Sequence, residues 1–267
     1  MKKFRKILIR LLLFSFGLYA VALVFLYCFQ EKLLFHPSVL VQEHKFNFLT
    51  DFEEVYIPVD KSVNLHGVLF KANQSKGLVF YLHGNGGCVE GWGYAAETFT
   101  SAGYDLFILD YRGYGKSGGE IESEGQIVTD VQKAYQFMLK KYDAANVVIA
   151  GYSIGAGPAT ILATTMPNKM LILQAPYYSL SSLIDEKVPL LPDFVKKYEF
   201  RTDTNIEKVS GPVVIFHGTD DKLIPFDHSQ KLLTHCHQGM LIPLPGEGHN
   251  AINDSELFRQ ELKKMLQ

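Results

Sequence analysis

Ser153 lies in the stretch Asn146–Pro158, read as NVVIAGYSIGAGP. The apolar run Val147–Ala150 breaks into Gly151-Tyr152-Ser153-Ile154-Gly155, and small residues follow. A G-x-S-x-G spacing suits a strand that turns sharply into a helix and holds a serine at the tip in a strained backbone conformation. Glycines two residues to either side are needed, because a side chain there would strike the strand or the helix start. The Ile154 N–H then points toward the serine hydroxyl, at the positive end of the following helix. A serine hydroxyl is a poor nucleophile until a base takes its proton and a third group orients that base. His249, in Gly246-Glu247-Gly248-His249-Asn250, is placed to be that base, since flanking glycines let it swing toward the sheet's carboxyl edge. Asp220 and Asp221 both follow an apolar run ending at Gly218, and either can orient the base.

An acyl carbon that becomes tetrahedral puts negative charge on its oxygen, which needs donors already aimed at it. The loop Gly84–Gly87 can offer a main-chain N–H, that of Asn85, with Ile154 N–H as the second, while His83 is placed to bond the loop backbone. His83-Gly84-Asn85-Gly86-Gly87 lacks the Lys-Ser/Thr of a phosphate-binding P-loop and the G-x-G-x-x-G of a dinucleotide loop. Cys88, beside it, reads as a small packed residue.

The elements that must position these groups alternate along the chain. Residues 53–59 and 63–70 read as an antiparallel pair around Asp60-Lys61-Ser62, with His66 a strand residue. Residues 77–82, 104–109, 147–150, 170–173, 213–216 and 240–244 read as further strands. Helices are expected over 91–102, 122–141, 226–235 and 254–266, and after Ser153; in 122–141, Ile127, Val131, Ala134, Tyr135, Met138 and Leu139 recur at helical spacing. A hairpin followed by βα alternation predicts a mainly parallel sheet with helices on both faces. Residues 176–210 break the alternation with Pro176, Pro189 and Pro192 among Leu, Tyr and Phe, and are expected to form a small lid. Residues 31–52 read as a linker, which leaves 53–267 as the domain.

Ahead of the linker, Lys2, Lys3, Arg5, Lys6 and Arg10 precede the uncharged run Leu11–Phe29. At about 1.5 Å per residue that run makes a helix of roughly 28 Å, close to the ~30 Å hydrocarbon core of a bilayer. Residues 1–30 are therefore expected to be a cytoplasmic tail and a single transmembrane anchor, with the rest on the non-cytoplasmic side by the positive-inside rule. A cleaved signal peptide is the rival, with Ala20-Val21-Ala22 as a cleavage site, but the apolar run continues past it. Leu26-Tyr27-Cys28 has a bulky Tyr27 where a lipoprotein cleavage box needs a small residue.

The 267 residues suffice for one large α/β domain, and a net charge of −2 gives no footprint for nucleic acid. Cys28, Cys88 and Cys236 imply neither a disulfide framework nor a metal site. His235 and His237, two apart, read as a solvated loop.

With HGNGG, DYRGYGKSGG, GYSIG, HGTDDKLIP and GEGHN in that order, the chain resembles membrane-anchored serine hydrolases of the α/β-hydrolase superfamily, in the group whose oxyanion loop begins HGN. The resemblance covers roughly residues 50–267. It implies an α/β-hydrolase fold: a mainly parallel eight-stranded sheet with helices on both faces and a small lid, preceded by one transmembrane helix. It implies Ser153 as nucleophile, His249 as base, Asn85 and Ile154 as oxyanion donors, and no metal or organic cofactor. Asp221 is the implied acid, because the family pattern counted from His217 is H-G-x-x-D. DYRGYGKSGG is expected to shape a loop, with Arg112 either steering an acidic substrate or making a structural salt bridge. Related enzymes with aspartate where Ser153 stands, epoxide hydrolases and haloalkane dehalogenases, are disfavoured.

The expectation is a membrane-anchored serine hydrolase that cleaves carboxylic ester, thioester or other acyl bonds through an acyl-enzyme. The Leu/Tyr/Phe-rich segment 177–200 points to an apolar acyl group, hence a small-molecule or lipid-like ester, while the N-terminal helix meets membrane lipid. A serine peptidase of the same fold and a non-catalytic membrane-bound scaffold are the alternatives.

Overall fold

Eight apolar runs pair into one sheet in the computed structural model of the chain, which describes residues 1–266. The chain opens with α1 (Lys2–Leu34), followed by the short β1 (His36–Pro37), β2 (Phe52–Pro58), β3 (Asn64–Phe70), β4 (Leu78–Leu82) and β5 (Gly86–Gly87). After α2 (Val89–Trp92) and α3 (Ala96–Thr100) come β6 (Asp105–Leu109), α4 (Glu124–Met138), β7 (Val147–Tyr152) and α5 (Ala156–Thr165). The second half runs β8 (Met170–Gln174), α6 (Leu180–Lys187), α7 (Thr202–Ile206), β9 (Val213–Gly218), α8 (Asp227–Leu233), β10 (Gly239–Leu244) and α9 (Glu256–Leu266). The sheet order is β10-β9-β8-β7-β4-β6-β3-β2, parallel from β10 through β6, with β3 antiparallel to both β6 and β2.

The central strands β4, β6, β7 and β8 are buried along their whole length. Such strands are continuous apolar runs because helices cover both faces of a parallel sheet. Alternate side chains serve two cores. One gathers Phe80, Ile149 and Leu173 with Tyr135 of α4, Leu162 of α5 and Leu232 of α8. The other gathers Tyr81, Val148 and Ile172 with Phe99 of α3 and Phe258 of α9. The antiparallel β2–β3 ribbon closes one edge, as the sequence predicts.

Two stretches depart from expectation. The single helix expected over 91–102 is split between α2 and α3 by a 3₁₀ turn, Gly93–Ala95. A contact remote in sequence fixes the backbone at this turn: a Cβ on Gly93 would fall on the Phe48 ring. The second departure is residues 31–52, which are not a free linker. α1 continues to Leu34, and Phe35 and Phe46 are buried. β1 pairs with β5 in parallel, and Ser38 and Leu40 N–H donate to the Gly87 and Gly115 carbonyls at 2.8 Å each. Phe46 and Phe48 stack at 5.3 Å, with Phe48 edge-on to Phe70 at 4.9 Å. The segment is a strap that ties the end of α1 to the loop after β4.

α1 has 33 residues, about 50 Å of helix, and is long and apolar enough by length and composition to cross a membrane. Its last four turns lie along the insertion between β8 and β9. Gln30 is buried there, its amide donating to Val195 O and accepting from Lys197 N–H, both at 2.8 Å. Lys197 pairs with Glu31 at 3.1 Å, and the Tyr19 hydroxyl donates to Leu190 O at 2.6 Å.

Candidate active site

β7 delivers Ser153 at its carboxyl end through a short 3₁₀ turn, Ser153–Gly155, that runs straight into α5. Ser153 has φ of 52°, the left-handed conformation that L-residues seldom adopt and that carries a strain of about 1–3 kcal/mol. The flanking glycines have the reason the motif anticipates. A Cβ on Gly155 would fall on the carbonyl oxygens of Leu82 and His83, and one on Gly151 would strike Gly155 O and Ala159. Only at such a sharp turn does the hydroxyl stand clear of the sheet edge.

His249, from the turn after β10, places Nε2 3.0 Å from Ser153 Oγ, and its Nδ1 lies 2.7 Å from Asp221 Oδ2. Asp221, from the turn after β9, is buried, and its Oδ1 accepts from the Leu223 and Ile224 N–H groups at 2.8 and 2.9 Å. Burial alone would raise the Asp221 pKa. Hydrogen bonds from His217, His249 and the Ile224 N–H outweigh it and hold the carboxyl well below its ordinary range. Asp221 is thus a fixed negative charge facing the imidazole. Asp220 is exposed, and among the described residues its carboxylate accepts only from the neighbouring Thr219 hydroxyl, at 3.4 Å.

Asn85 lines the same cleft as Ser153 and Ile154. Among the described residues the Asn85 N–H has no hydrogen-bond partner. Ile154 N–H belongs to the first turn of a helix, where N–H groups have no acceptor within the helix. Two main-chain donors therefore stand beside the serine. The Asn85 side chain and carbonyl are held in turn: Tyr114 donates to Asn85 O at 2.8 Å, and the His36 N–H of the strap donates to Asn85 Oδ1 at 3.2 Å. His83 Nδ1 meets Gly84 O at 2.7 Å, the loop-holding bond expected of it, and Tyr111 donates to His83 O at 3.0 Å.

The sequence did not single out several residues that complete this site. His217, noted only as the first residue of the H-G-x-x-D pattern, stands with Nε2 3.2 Å from Asp221 Oδ2 and Nδ1 2.6 Å from Ser229 Oγ. Tyr152 donates to His249 O, and burial pushes its phenol far above the usual tyrosine range, so it stays a donor. Trp92 donates to Gly86 O at 2.8 Å and packs edge-on to Tyr152 at 5.1 Å. For Tyr152 the local signal was its place next to the serine; for His217 and Trp92 no short-range pattern exists.

Other residues find structural roles. Arg112 grips Asp130 through Nε and Nη2 at 2.6 and 3.1 Å and reaches Asp60 at 3.0 Å, and it does not line the cleft at Ser153. It is a salt bridge, which removes the substrate-steering option. Asp110 is fully buried, accepts from Val89 N–H at 2.7 Å and faces His66 Nδ1 at 3.4 Å, so the DYRGYGKSGG stretch shapes its loop. Cys88 is buried, and burial raises its thiol pKa. His235 and His237 lie in the turn after α8, as expected of a solvated loop; His237 is exposed, while the half-buried His235 also bonds the Tyr178 hydroxyl at 3.1 Å. No three His, Cys, Asp or Glu among the described residues are grouped to hold a metal ion.

A parallel sheet with a strained serine after its central strand, and acid and histidine after two later ones, defines an α/β-hydrolase fold. A family model described as serine aminopeptidase, S33, matches residues 73–202. Alpha/beta hydrolase domain-containing protein 17B of Homo sapiens is 35% identical over 170 residues, covering 61% of this chain and 55% of that protein. Protein 17C of Mus musculus is 32% identical over 169 residues, covering 61% of this chain and 50% of that protein. The chain thus spans about half the length of the curated relatives it matches. Among solved structures, the esterase Pf2001 of Pyrococcus furiosus superposes with a TM-score of 0.68 at 19% identity, covering 86% of this chain and 98% of that one. Est1E of Butyrivibrio proteoclasticus, solved with ferulic acid bound, gives 0.64 at 20% identity, covering 79% and 96%. The chain has the α/β-hydrolase fold, and its matched segment is similar to α/β-hydrolase domain-containing proteins.

Proposed function

We propose that the protein is a membrane-anchored serine hydrolase that cleaves carboxylic esters through an acyl-enzyme. The observation that carries this reading is the unbroken hydrogen-bond chain Ser153–His249–Asp221, at 3.0 and 2.7 Å. In the first half-reaction Ser153 Oγ attacks the ester carbonyl while His249 Nε2 takes its proton. The Asn85 and Ile154 N–H groups receive the charge that develops on the carbonyl oxygen. Collapse expels the alcohol, which takes the proton back from His249. Water then repeats the sequence on the acyl-enzyme, releasing the acid and free Ser153.

The cleft supports ester over peptide. Its walls are mostly Leu33, Leu34, Leu180, Leu183, Ile184 and Leu223, and no carboxylate lines it. An aminopeptidase has to hold the substrate's α-ammonium, and a charge buried without a partner is costly. The scaffold reading leaves the strained φ of Ser153 without purpose. α1, with five positive residues at its start, serves as the anchor, its N-terminus cytoplasmic and the domain on the other side.

A fluorophosphonate probe should label the wild type at Ser153, and Ser153→Ala should lose labelling and on the order of 10⁶ in turnover on an ester panel. Undiminished ester turnover in Ser153→Ala would remove the serine mechanism. The anchor is tested by alkaline extraction: the intact chain should stay with the membrane.

A further inference from the structure

We infer that the cleft is loaded from the bilayer, and that its substrate is a long-chain acyl ester resident in the membrane; the inference rests on the esterase reading above. Two observations meet here. The cleft of about 240 Å³ beside Ser153 is walled on one side by the end of α1, through Leu33 and Leu34, and on the other by α6 of the insertion. Beyond α6 the insertion continues into a lip, residues 188–194, where Leu190 and Phe194 are 80% and 78% exposed. Among the described residues nothing covers them.

The lip lies beside the apolar part of α1. Tyr19 meets Leu190, while Gln30 meets Val195. Those two contacts are eleven helix residues apart, about 16 Å, so the lip descends along the helix below its docked end. Any bilayer that α1 crosses therefore meets the lip as well. The first consequence is that the exposed Leu190 and Phe194 are covered by lipid rather than by water.

Part of the lip's backbone is satisfied within the protein. In hydrocarbon every N–H and C=O without a partner is costly. Pro189 and Pro192 have no N–H. The N–H groups of Val188 and Leu191 donate to the Ile184 and Val188 carbonyls at 2.7 and 3.1 Å, which leaves those of Leu190, Asp193 and Phe194 without an acceptor among the described residues. The Leu190 carbonyl, at the tip, accepts from Tyr19. Asp193, the one acid of the lip, is ion-paired to Lys196 at 2.7 Å. Lys187 lines the cleft at the base of the lip and reaches the Lys222 carbonyl at 3.5 Å, placing its ammonium where lipid phosphates would lie.

An acyl chain can pass from such a bilayer along Val188, Ile184 and Leu183 to Ser153 without crossing water. A soluble short-chain ester needs no such path. This difference is the test. The full-length protein is reconstituted in phosphatidylcholine vesicles and assayed with p-nitrophenyl palmitate dissolved in the vesicles and with p-nitrophenyl acetate in the water phase. The double substitution Leu190→Asp/Phe194→Asp should lower palmitate turnover at least tenfold and leave acetate turnover within twofold. The retained acetate activity also shows that the variant is folded. Independently, Phe194→Trp should add tryptophan fluorescence that bromolipids quench, beyond the quenching of Trp92 in the wild type.

Equal losses on both esters, an unchanged palmitate rate, or added fluorescence that bromolipids leave untouched would each overturn the inference. A wild type that cleaves acetate but not palmitate would overturn the substrate class and leave the esterase reading standing. A wild type that cleaves neither overturns the esterase reading itself, while the quenching still reports whether the lip enters lipid.

Discussion

Replacing Asp221 by asparagine tests the site most sharply, because the outcome follows from which atoms surround the carboxylate. Oδ1 faces two backbone donors, Leu223 and Ile224 N–H, and Oδ2 faces His249 Nδ1 and His217 Nε2. An asparagine has one oxygen and one NH₂ to place. If the NH₂ faced the two backbone N–H groups, two buried donor pairs would clash, at about 1–3 kcal/mol for each unsatisfied group. The oxygen therefore takes the Oδ1 position, and the NH₂ faces His249. The imidazole must then accept at Nδ1 and carry its proton on Nε2, aimed at Ser153 Oγ. A base whose proton already points at the nucleophile cannot take another. Inverting the tautomer in this way cost about 10⁴ in turnover in a serine protease, equivalent to roughly 5.4 kcal/mol of barrier.

Asp221→Asn should accordingly lose about 10⁴ in kcat on p-nitrophenyl acetate. The fold should survive, with a loss of about 1–3 kcal/mol and a melting temperature lower by roughly 2–10 °C. Asp220→Asn, altering an exposed side chain, should keep its kcat within about twofold. Stopped-flow kinetics and thermal melts on the two variants side by side decide the matter. An active Asp221→Asn beside an inactive Asp220→Asn would refute the tautomer reasoning and move the acid to Asp220.

Other consequences can be read in the same assays. Tyr114→Phe removes the hydroxyl that bonds Asn85 O at 2.8 Å, worth about 1 kcal/mol, so kcat should fall roughly three- to tenfold while KM moves little; an unchanged kcat would detach that tyrosine from the oxyanion loop. Arg112→Met leaves Asp130 unpaired and should cost about 2–4 kcal/mol in urea unfolding, yet the ratio of rates on anionic and neutral esters should not change. Because the folded pKa of Asp221 lies below its unfolded value near 3.8, its contribution to stability is complete above that pH and disappears as pH falls. Acid unfolding of Asp221→Asn should therefore be shallower than wild type below about pH 4, by up to about 1.4 kcal/mol per pH unit; identical acid limbs would contradict the depressed pKa.

The residues gathered at the candidate site were legible in the sequence because each sits in a short motif at a strand end. Gly151 and Gly155 report close backbone approach at Ser153, and Gly246, with φ of 75°, marks the turn that leads to His249. The buried strands were legible for a related reason: a strand covered on both faces is apolar throughout, and β4, β6, β7 and β8 read that way. What supports those groups was not legible. His217 bonds Asp221 four residues away and Ser229 twelve residues away. Trp92 meets Tyr152 across sixty positions. Neither spacing belongs to any periodic element, so no pattern within one segment exposes it.

Residues 31–52 show how composition misleads when the partner surface is out of view. Their short polar and proline-containing runs resemble a connector, yet Phe35, Phe46, Phe48 and Phe52 supply four aromatic side chains to it, more than a solvated connector has reason to carry. Those rings bury themselves on β3 and on the insertion, and the backbone between them pairs with the loop after β4 through His36–Pro37 and Gly86–Gly87. A flexible tether would let the domain rotate freely over the bilayer. Here Gln30 ties the helix end to the insertion, and His36 of the strap that follows is hydrogen-bonded to Asn85. On the proposed reading of α1 as a membrane anchor, its tilt would fix the direction in which the cleft opens, and through Leu33 and Leu34 the end of α1 is itself a wall of that cleft.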